Sequence, residues 1–272
     1  MAALRQFLAP DFVSDAARLL LDHPGRVLIV TGFYIQRAGA AETDGPPGAA
    51  ALGAALGSLG WEVSYVTDRF STRVVEAVVG DGLVIEFPVA DDAASEAFAR
   101  DLIARQQPSA IVAIERPGLL RDGTYRNFAG VEFTEFNAKT DYLFGAHAAS
   151  VGIGDGGNEI GMGNLRDAIA ATKGLPAGPC ITTTDRLIIA SCSNWGAYGL
   201  VTALSRMTGR NLLPSVERGY EWVQRAVEAG AVEGLTGEAK DWVDGRSPVQ
   251  DAVCLRDLHD LLRREGLSPG TR

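Results

Sequence analysis

Histidine, cysteine and basic charge are all scarce in this chain of 272 residues. The three histidines, His23, His147 and His259, are scattered, which excludes a histidine-rich zinc centre. The three cysteines, Cys180, Cys192 and Cys254, are odd in number and match no zinc spacing. They indicate a reduced, cytoplasmic protein rather than a disulfide scaffold. Acids outnumber bases 34 to 25, for a formal net charge of −9, so nucleic acid and anionic membrane surfaces are not expected partners. No apolar run reaches membrane-spanning length. The first residues space Phe12, Ala16, Leu19 and Leu20 as one helical face, which reads as an amphipathic helix of the fold and not as a secretory leader. Walker A, G-x-S-x-G and C-x-x-C motifs are also missing. A small-molecule substrate remains.

What is present is a regular alternation. Short β-branched runs at Arg26–Thr31, Glu62–Val66, Leu83–Phe87, Ala110–Ile114, Ser150–Ile153 and Leu187–Ala190 predict strands. Helical patterns at 47–59, 71–79, 91–106, 135–149, 164–173 and 194–208 lie between or after them. This predicts an α/β fold, a Rossmann-like three-layer sandwich with a mostly parallel central sheet. Residues 1–210 form that domain. Residues 211–272 show helical periodicity only and are expected to be a helical C-terminal extension packed on the same domain, or a dimer contact.

The densest signal is Val151–Gly163, with six glycines, Asp155, Asn158 and Glu159 in thirteen residues. Residues 152–157 satisfy G-x-G-x-x-G. Asp155 inside such a cradle would repel phosphates, and no acid near residue 175 is placed to hold a ribose. NAD is therefore not expected, nor is PLP. Acids in a glycine loop suit a divalent cation, Mg or Mn, or a substrate ammonium group. Polar residues also follow the other strands: Glu42-Thr-Asp-Gly-Pro-Pro-Gly48, Asp68-Arg69, Glu115-Arg116 and Ser191–Trp195. Ligands of parallel sheets bind beyond these strand ends. Each segment also has a plainer reading: a turn at 44–48, solvated charge at 115–116, and an N-cap at Asn194 for its own helix.

Thr31-Gly-Phe-Tyr34, Glu42-Thr-Asp-Gly-Pro-Pro-Gly48, Ile114-Glu-Arg-Pro-Gly118 and the Gly152–Gly163 motif together resemble the D-glutamate cyclase-like C-terminal domain family, from about residue 25 to 205. The resemblance implies an α/β fold and a lyase that interconverts D-glutamate and 5-oxo-D-proline plus water. It also raises a departure. In the multidomain cyclase a hydro-lyase-like domain precedes this one, so a separate partner chain or a homo-oligomer is a further expectation. Such chemistry needs three kinds of group. Glu42 or Glu115 would serve as general base and Arg116 as carboxylate clamp, with Arg37, Arg69, Arg121 and Arg126 as alternatives. Asp44, Asp155 and Glu159 would hold the cation. Thr43, Asn194 and the backbone N–H groups of Gly156, Gly157 and Asn158 would bind substrate or a developing oxyanion. Two other readings stay open: a Mg-dependent nucleotide- or phosphate-handling enzyme, weakened by the absence of a nearby lysine, and a non-catalytic amino-acid-binding domain.

Overall fold

Strand β1 (Arg26–Thr31) is apolar without alternation because both its faces are covered. The computed structural model, which describes residues 1–145 and 149–268, places it near the middle of a six-stranded sheet. A short antiparallel hairpin, β2 (Tyr34–Ile35) and β3 (Ala40–Ala41), follows it. The other sheet strands are β4 (Glu62–Thr67), β5 (Leu83–Glu86), β6 (Ala110–Ile114), β7 (Ser150–Gly154) and β8 (Arg186–Ile189). Their order is β5-β4-β1-β6-β7-β8 and every pairing is parallel. In sheet-strand order this is 3-2-1-4-5-6, the doubly wound arrangement, and it reverses direction between β1 and β6. The crevice beyond that point is where such folds bind ligands.

Helices α1 (Phe12–Asp22), α2 (Pro46–Ser58) and α7 (Ser193–Thr208) cover one face, against Val27, Ile29 and Val112. Helices α4 (Asp92–Gln106) and α5 (Asp141–Gly145) cover the other, against Leu28, Val30 and Ile111. Helix α3 (Thr72–Val79) packs beside α2. α6 (Arg166–Ala171) packs near the 3-10 turn at Ala2–Phe7. α2 is Ala- and Gly-rich and buried on most sides, so its apolar residues do not confine themselves to one stripe. From Asn211 onward, α8 (Val216–Glu228) packs on α2 and α3, and α9 (Pro248–Arg264) on α7 and α8. Ser247 and Gln250 form a capping box at the start of α9.

The expected strands and four of the expected helices agree with the structure within a few residues. The helix expected over 135–149 does not form as such. A 3-10 turn at Thr134–Phe136 and the short α5 replace most of it, and residues 146–148, with His147, lie outside the described residues. The physical cause is a buried ion pair. Asp68 accepts from Ala138 N at 3.1 Å, and Arg116 donates to Ala138 O at 2.9 Å. Both backbone groups of Ala138 are thereby taken from any helix ladder. The helix expected at 164–173 opens as a 3-10 turn, Met162–Leu165, before α6.

The N-termini of α2 and α7 meet below the crevice and cap each other. Asp44 accepts from the backbone N–H of Ser193 at 2.7 Å and of Asn194 at 2.8 Å, the first turn of α7. Asn194 Oδ1 accepts from Gly45 N at 3.0 Å and Gly48 N at 2.7 Å, the first turn of α2, while its amide donates to Thr43 O at 3.3 Å. Asn194 is thus a cap, but of the neighbouring helix rather than its own. Gly48 makes the approach possible: a Cβ there would lie 3.0 Å from Asn194 and Ala197. Replacing Asn194 with Ala leaves the buried Gly48 N–H without its acceptor, while Gly45 N–H keeps Asp44 Oδ1 at 3.0 Å. The expected cost is about 1–3 kcal/mol, read as a lower denaturant midpoint at unchanged slope.

Candidate active site

Six acids converge at the crevice, delivered by four segments. Glu42 and Asp44 arrive on the segment after the hairpin, which is stitched to the C-terminal extension. Glu42 N donates to Phe33 O at 2.9 Å and Thr43 N to Val232 O at 3.0 Å. Glu115 is the first residue past β6 and takes a left-handed φ of 45°, uncommon for a residue with a Cβ. Its Oε2 accepts from Ser193 Oγ at 2.5 Å. Asp155 and Glu159 lie on the glycine-rich loop after β7. Asp244, with φ of 47°, comes from the loop between α8 and α9.

Single oxygens of Asp44, Glu115 and Asp155 lie within 4.8 Å of one another, and Asp44 and Asp244 form a similar group with Cys192 Sγ. Gly234 opens the space beside them: a Cβ there would lie 3.6 Å from Asp244 Oδ1 and overlap Glu42 Oε2. Burial and neighbouring negative charge act together on these groups. Burial, followed by Asp244, pushes Asp44 up to about 7. Burial and the surrounding acids hold Glu42, Glu115 and Asp155 well above the usual carboxylate range. Burial raises Asp244 and Glu159 as well.

The glycine loop uses its N–H groups internally. Glu159 Oε1 accepts from Asp155 N at 3.2 Å and Gly156 N at 2.5 Å, and Oε2 accepts from Gly157 N at 2.7 Å. Its glycines are there for chain-to-chain approach. A Cβ on Gly154 would sit 2.9 Å from Glu159 Oε2, and one on Gly152 would sit 2.8 Å from Gly161 Cα. Glu159 therefore shapes the loop and presents Asp155. It does not join the cation group, and Gly156 and Gly157 are not free to meet an oxyanion. Asn158 turns inward, donating to Arg126 O at 3.0 Å. Thr43 donates to Trp242 O at 2.6 Å and serves the loop rather than a ligand.

Arg116 also departs from expectation. Its guanidinium is buried and donates to Asp68 Oδ2 at 2.6 Å, Gly32 O at 2.9 Å, Ala138 O at 2.9 Å and Thr140 Oγ1 at 3.3 Å. Four acceptors from three segments leave it a brace, not a clamp. None of Arg37, Arg69, Arg121 and Arg126 pairs with a cluster acid among the described residues. Arg37 donates to Gly234 O and Leu235 O, and Arg126 pairs with Asp122 at 2.5 Å.

Residues 2–259 match the model of the family described as D-glutamate cyclase-like, C-terminal. The chain belongs to that family. A curated relative, the human protein named D-glutamate cyclase, mitochondrial, is 35% identical over 210 residues, which is 69% of this chain and 34% of the relative. The chain thus spans about a third of that relative's length. The relative is named as mitochondrial, so a cytoplasmic location does not follow from the family. No helix among the described residues is long and apolar enough to cross a membrane.

The family match reaches residue 259, beyond the stretch expected from the motifs, and the geometry shows a reason. The extension of this cyclase-like chain supplies Asp244 to the cluster. Sequence reading missed Asp244 because the surrounding residues carry no periodicity. The available signal was the Asp244-Gly245 pair, a dipeptide that favours left-handed turns. Glu233 was also missed. It accepts from Leu235 N, Thr236 N, Thr236 Oγ1 and Gly245 N and so ties the loop that carries Asp244. Burial alone would raise Glu233, but these donors hold it below the usual range.

The raised carboxyls fix the sign of a pH effect. They keep protons in the folded state that the unfolded chain releases above about pH 4. Their stabilisation is present below that value and is lost as pH rises through the folded values, about 7 for Asp44. The thermal midpoint of metal-free protein should therefore fall between roughly pH 5 and 7.5. A midpoint that climbs across this interval would contradict the cluster's protonation.

Proposed function

We propose that this chain interconverts D-glutamate and 5-oxo-D-proline plus water at the acidic cluster. One observation carries the reading: buried carboxyls with raised proton affinity stand at the switch point of a chain whose family and human relative are named for D-glutamate cyclase. Cyclisation joins the substrate's α-nitrogen to its γ-carboxyl carbon and expels one oxygen. The nitrogen begins as an ammonium and gives up two protons. The departing oxygen takes both and leaves as water, so substrate ammonium and γ-carboxylate cancel in charge.

A pair of carboxyls that share protons suits that transfer. Glu115, in its ionised form, accepts a proton from the ammonium, and Ser193 Oγ steadies its Oε2. Glu42, held protonated by burial and by the acids around it, donates one proton to the departing oxygen and takes the second from the nitrogen, while Glu115 passes its own proton to that oxygen, so both carboxyls end as they began. Of Asp44, Glu115 and Asp155, Asp155 is the half-buried one and meets the ligand first. Holding amine and carboxyl carbon together supplies up to about 7–11 kcal/mol of the barrier in favourable cases.

The donor set also fits a hard divalent cation. Asp44, Glu115 and Asp155 offer oxygens at compatible spacing, where Mg or Mn would supply polarisation of the γ-carboxyl. A phosphate-handling reading has less in its favour, since the glycine-loop N–H groups already donate to Glu159.

The test is an NMR time course with D-glutamate, L-glutamate and 5-oxo-D-proline, each with Mg, Mn or chelator. Turnover confined to the D-series is expected, and Glu115→Gln should lower kcat at least about 100-fold. Absence of turnover in every arm would contradict the proposal and favour a binding domain or dependence on a second chain. Asp155→Asn should fold with a thermal midpoint no lower than that of the wild type and lose cation or amine binding. Unchanged binding in that variant would remove Asp155 from the ligand.

A further inference from the structure

A cluster of acids attracts the substrate's ammonium and repels both its carboxylates. The γ-carboxylate loses its charge in the reaction. The α-carboxylate keeps its charge in substrate and in product, so it needs a permanent cation at the edge of the site. Among the described residues, the one ion pair between a basic side chain and a cluster acid is Arg246 with Asp244, Nη1 to Oδ2 at 3.9 Å. Arg246 is held from three sides. Nη1 donates to Asp244 O at 3.1 Å and Nη2 to Ser191 O at 2.7 Å, while the guanidinium lies 4.6 Å from the ring centre of Trp195. Trp195 is fixed in turn by its indole N–H to Asp251 Oδ1 at 2.7 Å. Arg246 is still 24% exposed, and its Nε–H has no acceptor among the described residues. It is a preorganised cation at the rim, with donors left over.

We propose that Arg246 binds the α-carboxylate of an amino-dicarboxylate substrate and thereby sets the requirement for that group. This rests on the cyclase reading and adds its specificity determinant. A planar fork stacked on an indole presents two parallel N–H groups to a carboxylate, which a lysine at the same place would not. Because the contact is the same in substrate and product, it contributes uniform binding and acts on KM more than on kcat.

The test compares D-glutamate with its α-amide, D-isoglutamine, on the full chain and on Arg246→Ala and Arg246→Lys. Wild type should prefer D-glutamate by about 10- to 100-fold in kcat/KM, the range of a hydrogen bond to a charged group. Arg246→Ala should lose most of that preference through a higher KM for D-glutamate, and Arg246→Lys should retain part of it. A merely structural role would lower both substrates together and leave their ratio unchanged. If wild type converts D-glutamate and the ratio survives in Arg246→Ala, the role of Arg246 is overturned and the cyclase reading stands. If wild type neither converts nor binds D-glutamate, both fall.

Discussion

Crowding carboxyl groups into one buried crevice is the constraint on which the rest of this structure depends. Two ionised carboxylates 4.8 Å apart repel by about 3 kcal/mol at an effective dielectric near 20. Several such pairs would exceed the few kcal/mol by which most folds persist. The cluster must therefore keep protons or hold a cation. Its nearest helix ends reflect this. Asp44 sits on the first turn of α7, where two N–H groups favour its charge, yet burial and Asp244 still raise it.

The acids divide by what answers them. Glu159 and Glu233 are wrapped by backbone N–H groups and act as folding devices for their own loops. Asp68 is answered by Arg116, whose remaining donors brace the strand ends around Gly32 and Ala138. Glu42, Glu115 and Asp155 have no comparable donors and are left with unusual proton affinity. A site built this way has its chemistry in the unanswered groups and its shape in the answered ones.

The fold and the crevice were legible in the sequence because they rest on local patterns. The β-branched runs gave the strands, and the acids after β1, β6 and β7 lie at the switch point as the parallel arrangement requires. Glu42, Glu115, Asp44 and Asp155 meet there. Their partners were not legible, since partnership is a tertiary fact. Arg116 beside Glu115 looked like a clamp, but Asp68, forty-eight residues away, claims its guanidinium. Asn194 was readable as a cap, while the N–H of Gly45 that it caps lies 149 residues earlier. The glycines of 152–163 announced close approach, and the approaching group proved to be the loop's own Glu159. Asp244 and Arg246 lay in the stretch 211–272, read only as a helical extension.

Protonation of the cluster is measured most directly by carboxyl-carbon NMR of Asp- and Glu-labelled protein across pH 4 to 8. Several resonances titrating well above the ordinary carboxylate range, with one lost in Glu115→Gln and another in Glu42→Gln, are the predicted result. Resonances that all titrate near pH 4 would contradict it.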